Sequence, residues 1–371
     1  MKKLLIASVL GGLMSSAALA DSYIFTSYLN PTNPLHAAGV EATVQKINRE
    51  AAGAFSIELF SSGSLVPATT TLQGLGDEVA QFGLVVPAYT ASELPLTNTI
   101  NDLVFASGDA LVSALAWTEL GLTNARLAEE WNKRGTIFLG GYSTPLYQLI
   151  CGPVVKSLAD VKGKKIRTVG AAQTAWIASL GGVPVSVPSP DIYTGLERGS
   201  LDCTMSDATA LDKGNRLWEI AKGVTTVEAG VIIGATFVAN QRFWSELPPA
   251  ERRLMLDNFA EGIARTQAQY AMESAAALQG SQERGLDVGP AAEDLAQSLK
   301  EFQSAHSASL AASAMKERGI ADPSDVIADY FRLEEKWREI FAGVDREDLT
   351  AVTRAVRENL YDGLDENSFG L

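Results

Sequence analysis

Apolar and polar positions along this chain form short blocks whose period switches repeatedly between that of a strand and that of a helix. Tyr23-Ile24-Phe25 has the pattern of a strand and runs into a proline-marked turn, Asn30-Pro31-Thr32-Asn33-Pro34. Over residues 39–52 the spacing becomes helical: Val40, Val44 and Ile47 share one face, and Gly53 ends it. Phe55–Phe60 alternates as a strand. A helix-like stretch near 68–81 leads to Leu84-Val85-Val86, and 108–134 is mainly helical with Leu111, Leu115, Leu122 and Leu127 inside.

The middle of the chain repeats the alternation. Thr136–Leu139, Leu146–Ile150 and Lys165–Val169 are expected as strands, then Ala171–Leu180 as a helix closed by Gly181-Gly182, and Val183–Val187 as a strand. Ser189-Pro190-Asp191 opens another helix, with a Ser cap, Pro at the first position and an acid that suits the positive dipole end. That helix ends at Gly199, Leu201–Ser206 is a strand, Asp207–Lys222 a helix and Val231–Ala239 a strand. From Leu247 helices take over: Pro248-Pro249 opens one running to about Arg284, followed by 291–318, 325–342 and 345–360. Strands alternating with helices predict an α/β fold with largely parallel sheets. The runs 21–144 and 145–230 are expected as two domain cores, with the long helix after 248 crossing between them.

The first twenty residues change the picture. Lys2 and Lys3 precede an apolar run from Leu4 to about Met14, and Ala18-Leu19-Ala20 comes just before Asp21. This is the pattern of an export signal cleaved after Ala20, with an apolar core too short to span a bilayer comfortably. Setting it aside reduces 371 residues to 351, a length that suggests two domains with real cores. The formal charge of −14 becomes −16 once Lys2 and Lys3 are gone. Such a charge argues against nucleic acid and anionic membranes as partners, and any anion must be held by local positive charge. In an oxidising compartment the two cysteines, Cys151 and Cys203, can close one disulfide. The two histidines, His36 and His306, are far apart and read as surface or helix residues. A His-rich zinc site is excluded, and no metal or cofactor is expected.

Catalytic signatures are scarce. The sequence has no Gly-x-Ser-x-Gly elbow, phosphate loop or Gly-x-Gly-x-x-Gly after a strand. The acid pairs Glu129-Glu130 and Glu334-Glu335 are consecutive, so they do not face each other on a helix and read as solvated faces. Arg167 stands apart. Lys162, Lys164 and Lys165 suit a solvated turn and strand edge, but Ile-Arg-Thr-Val places Arg167 within a strand, just before a helix. In an α/β sheet that is the strand end where ligands bind. A planar guanidinium fork there suits a ligand carboxylate; it equally suits an internal Asp or Glu.

Several stretches carry a family resemblance. "SLADVKGKKIRTVG", "DIYTGLERGSLDCTMS" and "NQRFWSELPPAERRLM" resemble, in that order, segments of the solute-binding proteins of tripartite ATP-independent periplasmic (TRAP) transporters, the dicarboxylate-receptor or DctP type. "SYLNPTNPLHAAGVEA" and "ELFSSGSL" resemble the family's opening elements, so the likeness runs over about residues 22–285. The resemblance implies a two-domain, periplasmic-binding-protein-like α/β fold with a long domain-spanning helix and no catalytic activity. Domain I is expected at 21–144 plus about 231–278, domain II at 145–230 plus about 279–320, and a helical C-terminal extension at 321–371. The resemblance further implies a periplasmic receptor, expected as a monomer, that hands a solute to TRAP membrane permease subunits. A receptor for an ATP-driven importer and a secreted α/β hydrolase are the competing readings.

In such proteins the arginine matching Arg167 pairs with a ligand carboxylate, and a further polar contact matches about Ser206. Departures are informative: Tyr147 stands about where a second arginine is common, Gly170 where some sugar-acid binders carry Asn, and Val231-Ile232-Ile233 is apolar. Fewer polar grips imply a small or partly apolar organic acid with one firmly held carboxylate. Tyr28, Tyr89 and Tyr147 are candidates for the rim or wall. Cys151 and Cys203 both fall in domain II, flanking the expected site, and are expected to form a disulfide.

Overall fold

A computed structural model describes residues 21–371; the export segment expected at 1–20 lies outside the described residues. The strands in chain order are β1 (Asp21–Thr26), β2 (Phe55–Phe60), β3 (Phe82–Val85), β4 (Thr136–Ser143), β5 (Tyr147–Cys151) and β6 (Lys165–Thr168). They continue with β7 (Val183–Ser186), β8 (Cys203–Asp207), β9 (Gly223–Thr226), β10 (Ile233–Asn240) and β11 (Asp287–Pro290). They form two sheets, ordered β2-β1-β3-β10-β4 and β11-β9-β5-β8-β6-β7.

Both sheets are mixed. β1 is parallel to β2 and β3, and β6 to β7 and β8, as the alternation of strands and helices requires. β10 is antiparallel to both its neighbours, and so is β5 to β8 and β9, which corrects the expectation of largely parallel sheets. The cause is connectivity. β5 follows β4 after only Thr144-Pro145-Leu146, and β10 arrives from the other sheet through Val231 and Ile232. No helix intervenes to carry the chain back along its sheet, so each strand enters from the gap and runs away from it. The carboxyl ends of β1, β3, β4, β6 and β8 and the amino ends of β5 and β10 therefore meet at one cleft.

Alternating side chains supply the cores. On β5, Leu149 and Cys151 enter a cluster with Ile166, Trp176 and Met205, while Ile150 faces the opposite cluster with Ile192, Leu211 and Val224. The first sheet carries the largest core, shared with the C-terminal helices. Helix Ser324–Phe341 buries Leu333 and Trp337 against helix Ala110–Thr123, and the Trp337 Nε1–H donates to Glu119 Oε2 at 2.8 Å. Beyond helix Leu349–Asn359, the Tyr361 hydroxyl donates to the Leu139 carbonyl at 2.8 Å. The 35-residue helix Pro249–Glu283 packs along both bodies, touching β4 on one side and β11 on the other.

Other differences from the sequence pattern have local causes. The helical period after residue 35 is realised as a π-helical segment, Leu35–Glu41, continuing into helix Ala42–Glu50. A methyl group on Gly39 would lie 2.4 Å from Thr266 Oγ1 of the long helix, so glycine permits that close approach. The segment 207–222, expected as one helix, folds into two 3-10 turns, Ala208–Leu211 and Leu217–Glu219. The Asp207 side chain accepts from the Thr209 N–H, and Arg216 adopts φ 57°, which together stop helix propagation. Of the paired acids, Glu130 is no solvated residue: its carboxylate accepts from the Leu96 and Thr97 N–H groups at 2.6 and 2.9 Å. It thereby caps helix Pro95–Leu103.

Candidate functional site

The cleft ends of both sheets enclose a cavity. Tyr28 follows β1, Tyr89 follows β3, Tyr142 lies at the end of β4 with Thr144 just beyond it, and Tyr147 opens β5. Arg167 lies near the end of β6, and Ser206 and Asp207 end β8. Tyr270 reaches the cavity from the long helix, Asn33 from the turn after β1, and Asn215 from the turns after β8. All five residues named from sequence, Arg167, Tyr147, Ser206, Tyr89 and Tyr28, line this one space. Its volume, taken as the room open to the centre of a water molecule, is ≈ 50 Å³. That is space for roughly four waters.

Arg167 is 1% exposed. Its Nε–H donates to the Val187 carbonyl at 3.0 Å, an Nη1–H to the Met205 carbonyl at 3.1 Å and an Nη2–H to the Tyr89 hydroxyl at 3.2 Å. These bonds fix the plane of the guanidinium and leave further N–H donors free. No carboxylate among the described residues comes within 4.0 Å of it. The second alternative open at the level of sequence, an internal ion pair, is therefore not what holds Arg167.

The Tyr89 hydroxyl is also the acceptor for the Ser189 N–H at 3.0 Å. One side chain from the first sheet's body thus ties down two groups of the second. Asn30 and Thr32 add contacts across the same gap, donating to the Gly214 and Lys213 carbonyls at 2.5 and 2.9 Å. Asp102, in helix Pro95–Leu103, accepts from the Ala171 and Ala172 N–H groups at 3.1 Å each, at the start of helix Gly170–Ser179. Gly170 itself has φ 79°, a left-handed turn that brings this helix in directly after the strand bearing Arg167. The arrangement is closed.

Electrostatics follow from burial. Burial pushes the phenols of Tyr28, Tyr142 and Tyr270 well above their usual range; neighbouring tyrosines add to the effect in all three, and Asp207 adds to it for Tyr142 and Tyr270. Tyr147 is raised too, again by burial, while the charge of Arg167 pulls the other way. The cavity is thus walled by neutral hydroxyls and ring faces. Burial raises the Asp207 carboxyl above the usual carboxylate range, opposed by its bonds to Thr209 and by Arg167.

Asp207, Tyr142 and Tyr270 were not anticipated as site residues. Asp207 reads as the first residue of a helix and Tyr142 as a residue beyond its strand. Tyr270 sits inside a helix whose role read as purely structural. The cysteines form a disulfide, Cys151–Cys203, between register partners on β5 and β8. The bridge does not flank the cavity: four residues along each strand separate it from Tyr147 and Asp207, about 13 Å.

Two sheets meeting at a small cavity around a buried guanidinium with donors to spare define the class: a two-lobed solute receptor. The family model for DctP, described as bacterial extracellular solute-binding protein, family 7, matches residues 25–313, and the chain belongs to that family. A solute-binding protein of Albidiferax ferrireducens is 23% identical over 226 residues; the match spans 58% of this chain and 63% of that relative's length. Among solved structures, the fold is similar to DctP7, a Bordetella pertussis extracytoplasmic solute receptor binding pyroglutamic acid. The TM-score is 0.74 and the identity 23%, covering 84% of this chain and 100% of that one. It is similar also to a TRAP solute-binding protein from Rhodoferax ferrireducens in complex with copurified benzoate. There the TM-score is 0.73 and the identity 21%, covering 86% of this chain and 99% of that one.

Proposed function

We propose that this chain is the extracytoplasmic receptor of a TRAP transporter, which closes over a small organic acid and delivers it to the membrane permease subunits. Arg167 carries the reading: a fully buried guanidinium, with donors to spare and no protein carboxylate in contact with it, is suited to receive a negative charge from outside. The solute's carboxylate supplies it. Tyr28 and Tyr147 form ring walls, Ser206 offers a hydroxyl, and Tyr89 couples the grip on Arg167 to closure.

The lobes are 21–144 with 231–278 and 145–230 with 279–320, joined by the segments around Thr144–Leu146 and Gly230–Ile232 and by the long helix. The chain is exported, cleaved after Ala20 and acts as a monomer in the periplasm. A cavity this small supports a small acid with a single carboxylate. Pyroglutamic acid and benzoate, bound by the two structural relatives, are ring acids of that size.

Calorimetric titration with small carboxylates, chosen from a thermal-shift screen, tests the reading. Removing one partner of a buried charge pair costs about 2–5 kcal/mol, so Arg167→Ala weakens binding roughly 30- to 4,000-fold. Arg167→Lys also weakens it, because an ammonium does not reproduce the planar fork. Unchanged affinity in a folded Arg167→Ala protein sinks the assignment.

A further inference from the structure

The cavity holds a second buried charge, and it is not matched to the first. Asp207 is 8% exposed and stands directly opposite Tyr147 in the β5–β8 ladder. Its Oδ1 accepts from the Thr209 N–H at 3.0 Å and from the Thr209 hydroxyl. Its Oδ2 accepts no hydrogen bond from another described residue, although the side chain lines the cavity. Arg167 lines the same cavity but lies more than 4.0 Å from this carboxylate. The site therefore presents a donor fork and, apart from it, an acceptor, each short of a partner. Oδ2 is an acceptor open to the cavity and free to take a donor that the bound molecule brings.

We infer that Asp207 selects the solute: the receptor takes small ring acids that carry an N–H donor beside the carboxylate, and discriminates against acids of the same shape that present only an acceptor there. The inference rests on the reading that Arg167 binds the carboxylate. An N–H completes the coordination of Asp207 Oδ2, whereas a ring oxygen in its place faces a buried carboxylate lone pair to lone pair. Sites built to meet a polar group reject analogues lacking it far more strongly than apolar pockets reject a missing methylene. The neutral phenols of Tyr142 and Tyr270 line the same space and hold no charge to compete with Asp207 for the donor.

Pyrrole-2-carboxylate and 2-furoate test this directly. They share ring size, planarity and the carboxylate, and differ by N–H against O. Calorimetry on the wild-type protein is expected to show pyrrole-2-carboxylate binding at least about tenfold more tightly. In Asp207→Asn, whose amide donates as well as accepts, the gap is expected to narrow to within about threefold, with 2-furoate binding improved. Circular dichroism and the unfolding midpoint report that the variant is folded. Equal affinity in the wild type, or an undiminished gap in Asp207→Asn, overturns the inference and leaves the Arg167 reading standing. Pyrrole-2-carboxylate binding that survives Arg167→Ala unchanged overturns the Arg167 reading instead. Binding of 2-furoate but not of pyrrole-2-carboxylate, or binding of neither, overturns the inference and leaves the Arg167 reading to the wider carboxylate screen.

Discussion

The His36 imidazole is 1% exposed, with Nδ1 3.0 Å from Ser27 Oγ; of the two positions its sequence context suggests, surface or helix, it takes the helical one, in the π-helical segment. Burial holds its pKa below the usual histidine value, with the charge of Glu41 opposing. Between that lowered value and about 6.5 the unfolded chain binds more protons than the folded one. Stability from His36 is therefore fully present above about pH 6.5 and is lost as pH falls through the folded value. Thermal unfolding from about pH 7.5 down to about pH 5.5 is expected to show a larger drop in midpoint for the wild type than for His36→Gln. Asp207 and Glu130, whose pKa values burial raises, act in the opposite direction, but they are common to both proteins and cancel in the difference. Legibility at this scale follows from contrast. Arg167 is visible because a cation between apolar strand residues is unusual. Asp207 is hidden because an acid before a helical pattern is what a helix cap looks like.

The elements that the pattern revealed are those long enough, or apolar enough, to show their period. β10 and the first turns of the long helix are examples. β9 (Gly-Val-Thr-Thr) and β11 (Asp-Val-Gly-Pro) escaped because each is four residues with almost no apolar alternation. β9 joins the second sheet by pairing with β5, and β11 extends it by pairing in parallel with β9 once the long helix delivers it there. The disulfide also belongs to this scale. It pins β5 to β8 at the end remote from the cavity, closing a separation of 52 residues. Chain-entropy arguments give such a link about 4 kcal/mol, so the Cys151→Ala, Cys203→Ala double variant is expected to lose roughly that amount in urea unfolding. Because the ladder from Cys151 to Tyr147 is otherwise intact, acid affinity is expected to change by less than about threefold. A collapse of affinity with unchanged stability would mean that the bridge shapes the site rather than the sheet.

At the scale of the whole molecule, closure and charge are one problem. With the lobes together Arg167 is out of water and has no protein carboxylate in contact with it, so an acid that pairs with it stabilises the closed state. An acid that binds this state better than an open one shifts the population towards it. The Tyr89 hydroxyl is the joint in this coupling, since it accepts from Arg167 and from the Ser189 N–H across the gap. Tyr89→Phe leaves both donors buried without a partner in the closed form while leaving the open form unaffected. The cost of about 1–3 kcal/mol corresponds to roughly 5- to 150-fold weaker acid binding, expressed mainly as faster release. Small-angle scattering gives the independent reading. The wild type is expected to contract when a bound acid is added, and Tyr89→Phe to contract only at proportionately higher acid concentration. An unchanged radius of gyration on binding would place the site in a preformed cavity and remove Tyr89 from any role in closure.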